Sequence, residues 1–406
     1  MHGALCFWIN GVDSNCKDVM TMLGSYLMPS VNLMERGSLR EVGPWIGRLG
    51  GTKALIVASL SDYGELQGAM VLNILKNHAL DGVLFAGAGP NPTETMVIDA
   101  AELYCRRECD CIVAIGGGSA IDCAKVTAVS VGQIEGIKWF GARKRPPFVA
   151  INTTAGTGSE ATSFAVITKE ADHRKITIQD WILMPDISIN DPELMLSMPP
   201  RLTATTGMDA LSHAVEAYVS TEASSFSDGL ALQAIHTIFR WLPTAVRHGS
   251  NMQAREAMCH AAFMAGVAFN NAGLGYVHAL SHPVSAMYGS AHGLVNAILL
   301  PVVEQFNLSA VAPKLAVLGS AIDEATYRRY NIDTSGSRTE EKAEKTVEAM
   351  RDLAREIDIP PGLRNLGVRD EDVDTLALAA SREAIGATNP RKGVLSEIRD
   401  LYRQAI

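Results

Sequence analysis

Between residues 52 and 191 the chain alternates short apolar runs with stretches of helical periodicity. The apolar runs are "TKALIVAS", "GVLFAGA", "CIVAIGG", "PFVAINTT" and "DISIND". Runs of this kind, separated by helices, predict strands of a parallel sheet that is covered on both faces. The segment "SFAVITKEADHRKITI" breaks the alternation, because two short strands flank a charged turn. We expect it to form a hairpin at the edge of that sheet.

Beyond "NDPELMLSMPP" the strand-like runs end, and the pattern becomes helical. Apolar residues recur at helical spacing over 227–247, 251–270 and 340–357. A chain of 406 residues is long enough for two or three domains of about 100 to 200 residues each. We therefore predict an α/β domain over residues 1–191 and an all-α domain over residues 192–406, divided near Asp191 and Pro192.

Composition and charge narrow the classes of partner and location. Hydrophobic residues make up 47% and charged residues 19%, as in a folded globular protein. The net charge of −9 argues against a nucleic-acid partner. We see no apolar run of the roughly 18 residues that span a bilayer and no signal-peptide pattern at the start. We expect a cytoplasmic protein with no membrane partner, whose seven cysteines, an odd number without paired spacing, are reduced.

A glycine-rich turn follows the strand-like run at residue 111. "CIVAIGGGSAIDCAK" passes from an apolar strand through Gly117, Gly118 and Ser119 into a helix. Glycine lets the backbone approach a ligand closely, and the start of a helix offers free N–H groups to an anion. The turn is thus a candidate site for a dinucleotide pyrophosphate; the alternative is a plain strand-to-helix turn.

A second glycine segment, "TTAGTGSEA", fits the dinucleotide fingerprint less well, because a strand-like run rather than a helix follows it. We interpret it as a loop in which Thr153, Thr154 and Thr157 offer hydroxyl groups to a ligand or simply form turns. After "KALIVA", where an acid commonly binds the ribose, the chain has Ser59. The choice between NAD and NADP therefore stays open.

Acidic and imidazole side chains recur at helical spacing in the second half. Asp209 and His213 are four residues apart in "TGMDALSHAVEAY", and His278, His282 and His292 fall in one later window of 15 residues. Positions i and i+4 share a helix face. Each histidine alone fits a core position, but a cation would satisfy several buried polar groups together. Asp209, His213, His278 and His292 suit Fe(II), Zn(II) or a neighbouring ion.

Two other residues near this set have weaker assignments. His282 is left outside the four candidate ligands. Glu216, seven residues beyond Asp209, is either a partner of a ligand or a surface salt bridge or cap. A metal beside a nicotinamide would polarise a carbonyl or an alcohol while hydride is transferred, in a cleft that we expect between the two halves.

The same segments resemble the iron-dependent, or group III, alcohol dehydrogenases. "PNPT", "GGGSAIDCAK", "NTTAGTGSE", "DPELMLSMPPRLTATTGMDALSHAVEAY" and "HALSHPVSAMYGSAHGLVNAILLP" occur in family order. The resemblance runs from "SYLMPSVNLMERGSLREVG" to "ATNPRKGV" and leaves out about the first twenty residues. It implies an α/β Rossmann-like N-terminal domain and an all-α C-terminal domain, the architecture of dehydroquinate synthase, with NAD or NADP and Fe(II) or another divalent metal.

Matched residue by residue, the resemblance implies Asp209, His213, His278 and His292 as metal ligands and His282 as a catalytic residue near the nicotinamide. The implied cofactor contacts are Asn91, Gly117, Gly118, Ser119, Thr153, Thr154, Thr157, Val166, Lys175 and Leu194, with Ser59 at a position where many members have Asp. We expect a small primary alcohol or its aldehyde as substrate, and a homo-oligomer.

Three other functions remain open from the sequence. Glycerol or a 2-hydroxy acid would be a close variant within the same reaction class. A metal-dependent lyase of the dehydroquinate-synthase kind would reoxidise its nucleotide in each turnover. A non-catalytic metal-binding protein would retain metal without binding a nicotinamide.

Overall fold

Six strands from the first half of the chain form one parallel sheet. The structure, a computed structural model, describes residues 25–134, 145–171, 175–333, 335 and 337–406. The strands of this sheet are β1 Val31–Leu33, β2 Lys53–Ser59, β3 Asp81–Ala88, β4 Cys111–Gly116, β5 Phe148–Asn152 and β8 Ile187–Asn190. They lie in the order β3–β2–β4–β5–β8–β1, and every neighbouring pair is parallel. Five match the apolar runs, whereas β1 is too short to give a pattern.

Helices cover both faces of the sheet, as the continuous apolar runs predicted. The helices of this half are α1 Val42–Arg48, α2 Asp62–Asn77, α3 Glu94–Arg106 and α4 Gly118–Ile134. In β2, Leu55 and Val57 pack into a core with residues of α3 and α4. Ala54 and Ile56 point the other way, into a core with residues of α1 and α2. Alternate residues of one strand thus serve two cores, which explains why the strand has no polar face.

The hairpin prediction is correct, but its position at the edge of the main sheet is wrong. β6 Phe164–Thr168 and β7 Lys175–Gln179 pair antiparallel as a separate two-stranded sheet. Ala165, Ile167 and Ile178 of this hairpin are buried in the core that contains α4. The alternation of apolar residues reveals that one face is buried, but not which surface covers it.

The second half is helical, as predicted. Its helices are α5 Pro200–Val219, α6 Ser225–Arg247, α7 Met252–Ala272, α8 Tyr276–Tyr288, α9 His292–Ala321, α10 Glu324–Arg329, α11 Thr339–Glu356, α12 Val373–Ala380 and α13 Leu395–Ala405. Nearly every residue of α5 from Thr203 to Val219 is buried. A helix that is buried all round belongs to the interior of a bundle, and its polar side chains therefore need internal partners.

One loop of the first half belongs to the second of two compact units. The first unit comprises the chain up to Thr154 and Ser159–Leu194; the second comprises Ala155–Gly158 and Met195–Ile406. A Cβ on Gly156 would lie 2.6 Å from Thr206 Cβ, and a Cβ on Gly158 would lie 2.6 Å from Gly266 Cα. Glycine therefore allows the loop to pack directly on α5 and α7. The order of the elements along the chain does not reveal that this loop belongs to the second unit.

α9 corrects the expectation that no apolar run could span a membrane. By length and composition α9 could cross a membrane, because an 18-residue window within it has a mean hydropathy of 1.5. However, 67% of that window is buried inside the protein. We therefore interpret α9 as a core helix of the bundle.

The start of α5 is fixed by a buried arginine on α7. Arg255 is 2% exposed. Its Nε donates to Gly249 O at 2.8 Å, Nη1 to Thr203 Oγ1 at 2.8 Å and Nη2 to Met198 O at 2.9 Å. The guanidinium thus joins the loop before α7 to the loop and first turn of α5. It holds the beginning of the helix that carries Asp209 and His213.

We predict that Arg255→Met lowers the free energy of unfolding by about 2–4 kcal/mol, because the buried carbonyl oxygen of Met198 and the partly buried one of Gly249 lose their donors. Urea unfolding followed by circular dichroism measures the loss. Arg403→Met is the matched control, because Arg403 pairs with Asp400 at 2.9 Å on the surface, with 60% of its side chain exposed; we expect a change within about 0.5 kcal/mol. Equal losses in the two variants would contradict the role of Arg255.

Candidate functional site

Three helices of the second unit bring the candidate metal ligands together. α5 carries Asp209 and His213 one turn apart, and their exposed fractions are only 3% and 4%. α8 contributes His278, which is 2% exposed, and α9 begins at His292. The ring centroids of His213 and His278 are 4.7 Å apart, and those of His278 and His292 are 5.1 Å apart. Segments separated by more than sixty residues thus meet at one point.

The donor atoms of these four side chains surround a single carboxylate oxygen. Asp209 Oδ1 lies 4.0 Å from Nε2 of His213, 4.0 Å from Nε2 of His278 and 3.9 Å from Nε2 of His292. Two atoms that each bind a cation at about 2.0–2.2 Å can be at most about 4.4 Å apart. The donor atoms of Asp209, His278 and His292 all lie within 4.8 Å of one another, so these three residues could hold one divalent cation, whereas His213 approaches Oδ1 but lies outside that group.

Burial keeps the imidazoles in the form that binds metal. It lowers the pKa of His213 to about 4 and the pKa of His278 to about 3, against the opposing attraction of the Asp209 carboxylate. Both rings are therefore neutral at physiological pH, with a lone pair on one nitrogen. His292 is more open, with 28% of its side chain exposed. Solvent or a small molecule can reach the cluster on that side.

Glu216 is a buried partner of a candidate ligand and also accepts from the first turn of α8, rather than forming a surface salt bridge. It is 1% exposed, and its Oε2 contacts His278 Nδ1. Its Oε1 accepts from the N–H groups of Val277 at 2.7 Å and His278 at 3.4 Å. A carboxylate on Nδ1 fixes the tautomer and the orientation of an imidazole. Nε2 of His278 is thereby directed at Asp209.

A second buried carboxylate, Glu304 on α9, lies behind Glu216. It is 0% exposed, and its Oε1 accepts from Asn307 Nδ2 at 3.3 Å. Burial raises its pKa, and the nearby Glu216 raises it further. Burial likewise raises the pKa of Glu216. Glu304 shares the chemistry of Glu216 but has no contact with a candidate ligand among the hydrogen bonds of the described residues.

Asn296 is a member of the cluster that the sequence analysis missed. It lies one turn after His292 on α9 and is 0% exposed. Its Nδ2 is 2.7 Å from Asp209 Oδ1 and 3.1 Å from Nε2 of both His278 and His292. The spacing of four residues from His292 was the available signal, but an amide in an apolar helix does not by itself indicate a metal site.

His282 lies beside the four ligands rather than among them. It follows His278 by one turn of α8, and its ring centroid is 6.4 Å from that of His278 and 5.3 Å from that of His292. Its Nδ1 is 3.3 Å from Oε2 of Glu383, a residue with 27% of its side chain exposed. The sequence analysis did not identify Glu383, which lies 101 residues away along the chain.

Several of the predicted cofactor residues of the first unit meet at the carboxyl edge of the parallel sheet. Ser59 ends β2, and its Oγ would lie 2.6 Å from a Cβ on Gly116 at the end of β4. Gly117 faces Thr154, whose Oγ1 would lie 3.1 Å from a Cβ there, and Thr153 N donates to Gly116 O at 3.0 Å. α4 begins at Gly118, so its free N–H groups face this edge.

The other predicted cofactor residues lie on neighbouring segments. Asn91, with φ +53°, is in the loop after β3, and this loop approaches the hairpin because Thr168 N donates to Pro92 O at 2.7 Å. Val166 lies on β6 and Lys175 on β7. Leu194 ends the first unit, and Thr157 lies in the loop that packs with the second unit. The assignment of these residues to the cofactor stays a prediction.

Comparison with known proteins covers almost the whole chain. Residues 29–192 match the family model described as iron-containing alcohol dehydrogenase, and residues 203–406 match the C-terminal model of the Fe-containing alcohol dehydrogenase family. The 1,3-propanediol dehydrogenase of Citrobacter freundii is 42% identical over 388 residues, which are 94% of this chain and 98% of that protein. The NAD-dependent methanol dehydrogenase of Bacillus methanolicus is 38% identical over 387 residues, 94% of this chain and 100% of that protein.

Solved structures give the same result. A crystal structure of 1,3-propanediol oxidoreductase superposes with a TM-score of 0.87 at 41% identity, covering 94% of this chain and 99% of that one. Both halves of this chain therefore share the fold of these proteins and align with their sequences over most of the chain.

We predict that Glu216→Gln weakens metal binding about 10- to 100-fold, because His278 loses the carboxyl oxygen on Nδ1 that orients Nε2 toward Asp209. Titration of metal-free protein with Zn(II) or Co(II) against a chelating dye measures the dissociation constant. Glu304→Gln is the control, since it removes an equally buried carboxylate without touching a candidate ligand; we expect a change of less than about threefold. A loss of equal size in both variants would show that buried charge, rather than the contact with His278, sets the affinity.

Proposed function

The chain belongs to the iron-containing alcohol dehydrogenase family and is a metal-dependent alcohol/aldehyde oxidoreductase, and on this premise we propose that it interconverts a short primary alcohol or diol and its aldehyde with NAD and Fe(II). One observation supports this most strongly. Asp209 Oδ1 lies within 4.0 Å of Nε2 of three histidines, two of which burial keeps neutral.

The four side chains define the electrostatics of the site. As metal ligands, one carboxylate and three imidazoles supply a single negative charge, so they do not neutralise a divalent cation completely. When bound, the cation polarises the oxygen of an alcohol or aldehyde and the nicotinamide exchanges hydride with the carbon. Asp209, His213, His278 and His292 would hold the cation, and the family name favours Fe(II) over Zn(II).

We propose that His282 and Glu383 carry the proton that an alcohol loses. His282 is 5% exposed and lies beside the ligand cluster, whereas Glu383 is partly open to solvent. The contact of 3.3 Å between His282 Nδ1 and Glu383 Oε2 joins the buried ring to that open carboxylate. An imidazole with a carboxylate on one nitrogen can accept a proton on the other, which makes His282 the candidate general base.

The cofactor and partner assignments rest on other features. The helix start at Gly118 lies at the same edge of the sheet as Ser119, Thr153 and Thr154. This arrangement supports a dinucleotide as the cofactor. The relative from Bacillus methanolicus is named NAD-dependent, which supports NAD here. The net charge of −9 supports a small molecule rather than nucleic acid as partner. We also propose a cytoplasmic homo-oligomer.

We expect His282→Ala to keep its metal and to lose about 10²- to 10⁴-fold in kcat, the usual contribution of a general base. His278→Ala should lose metal and activity together, because it removes a ligand. Metal analysis of the purified variants, with steady-state rates for each, separates the two roles. A His278→Ala protein with full metal content and undiminished turnover would contradict the ligand assignment.

We expect the Fe(II)-loaded protein to reduce NAD with short unbranched primary alcohols and diols, and to oxidise NADH with the matching aldehydes. Rates for a series of alcohols, glycerol and 2-hydroxy acids, with NAD and NADP and with Fe(II) and Zn(II), are followed at the absorbance band of the reduced nicotinamide. Higher kcat/KM with NAD than with NADP is the expected order. Absence of net nicotinamide reduction or oxidation across the whole series would eliminate the proposed activity and leave a lyase or a binding protein.

A further inference from the structure

Two charged residues, the half-buried Asp122 and the fully buried Lys125, follow the glycine turn on α4. α4 begins at Gly118, and Asp122 and Lys125 follow within its first two turns. Lys125 is 0% exposed. Charged side chains are almost never fully buried unless partners compensate for the lost hydration. The hydrogen-bond partners of Asp122 and Lys125 therefore show which segments are attached to α4.

Asp122 reaches two separate segments with its two oxygens. Oδ1 accepts from Ser159 Oγ at 2.5 Å, at the end of the loop that follows Thr153 and Thr154. Oδ2 accepts from the backbone N–H of Val166 at 2.9 Å, in strand β6 of the hairpin. One carboxylate thus connects the start of α4 to both segments.

Lys125 makes the matching pair of contacts one turn later. Its Nζ donates to Thr162 Oγ1 at 3.1 Å and to Phe164 O at 2.6 Å. Asp122 and Lys125 together hold residues 159, 162, 164 and 166, so the chain that enters the hairpin is attached to α4 along its length. Four polar contacts fix the position of the hairpin relative to the glycine turn.

The charges of Asp122, Lys125 and Glu160 offset part of the cost of burying one another. Glu160 is 0% exposed, and the attraction of Lys125 partly offsets the effect of burial, which raises the pKa of Glu160 to about 7. Burial lowers the pKa of Lys125 to about 8, against the opposing charges of Asp122 and Glu160. A hydrophobic contact in the same place would hold the hairpin without this electrostatic cost. The polar network therefore specifies a register rather than simply adding stability.

We propose that Asp122 and Lys125 are positioning residues for the cofactor: they fix the hairpin, with Val166 and Lys175, at the distance from Gly118 and Ser119 that a bound dinucleotide requires. The inference rests on the proposed function, because it takes both segments as parts of one nucleotide site. A ligand that touches both the start of α4 and the hairpin binds weakly if either segment shifts, since binding must then restore their spacing.

The hydrogen bonds, rather than the charge of Asp122, carry this role. In Asp122→Asn, Oδ1 can still accept from Val166 N–H while Nδ2 donates to Ser159 Oγ, whose hydroxyl can turn to accept. Asp122→Ala removes both contacts. The two substitutions therefore separate positioning from charge, and the conservative variant should restore what the alanine loses.

The experiment measures NADH affinity by fluorescence titration of the purified full-length protein. We expect Asp122→Ala to raise the dissociation constant about tenfold or more, Ser159→Ala to raise it about threefold, and Asp122→Asn to raise it less than about threefold. Thr127→Val is the control, because Thr127 is buried on the same helix and its hydroxyl donates within that helix, to Cys123 O at 2.8 Å; its affinity should equal that of the wild type. The KM for NAD should rise in Asp122→Ala while metal content is unchanged.

The outcomes distinguish this inference from the proposed function. If Asp122→Ala does not fold, Ser159→Ala against Thr127→Val decides the question. Wild-type affinity in Asp122→Ala or Ser159→Ala, despite a lower melting temperature, would reduce the network to a structural role and overturn the inference alone. Equal losses in the alanine and asparagine variants would overturn it as well. A wild-type protein that binds neither NADH nor NADPH would overturn the proposed function and the inference together.

Discussion

Burial of polar side chains inside the helical bundle is the constraint on which the candidate site depends. α5 is buried along most of its length and still carries Asp209, His213 and Glu216 inward. Each of these groups would destabilise the bundle if it had no partner. The arrangement satisfies part of this need: Glu216 binds His278, Asn296 binds Asp209, and the imidazole nitrogens face one carboxylate oxygen, whereas in the part of the chain that the structure describes His213 Nδ1 and Asn296 Oδ1 have no hydrogen-bond partner. A cation is the ligand that would use all of these lone pairs at once.

In the first unit, the candidate cofactor residues lie at the carboxyl edge of the parallel sheet. Parallel strands end together, so residues far apart in sequence, such as Ser59 and Thr153, meet at the carboxyl edge without any interaction of their own. Glycines at 116 and 117 keep that edge open to a ligand, because a side chain at either would collide with Ser59 or Thr154. Backbone atoms form the surface at this edge of the sheet, whereas side chains form the candidate metal site of the helical unit.

The sequence was sufficient to predict the features that repeat along the chain. It was not sufficient to predict the features that depend on which surfaces pack together. Five strands and the helical half follow from apolar periodicity, and spacings of four residues singled out the candidate ligand side chains. The separate sheet of the hairpin did not follow, since alternation in 164–168 shows a buried face but not its neighbour. Asn296 and Glu383 were missed because a lone amide or a surface acid has no distinctive spacing.

Three carboxylates whose contacts the sequence did not indicate share one physical role. Buried or partly buried carboxylates accept from backbone N–H groups of remote segments: Asp122 from Val166, 44 residues away, Glu216 from Val277, 61 residues away, and Asp191 from Leu39, 152 residues away. Each such bond offsets part of the desolvation of the acid and fixes a single alignment of two segments. Apolar packing tolerates small shifts at low cost. A site that must hold donor atoms to within a fraction of an ångström needs the directional contact, and the bonds of Glu216 and Asp122 adjoin the segments that carry the candidate metal ligands and the proposed cofactor contacts.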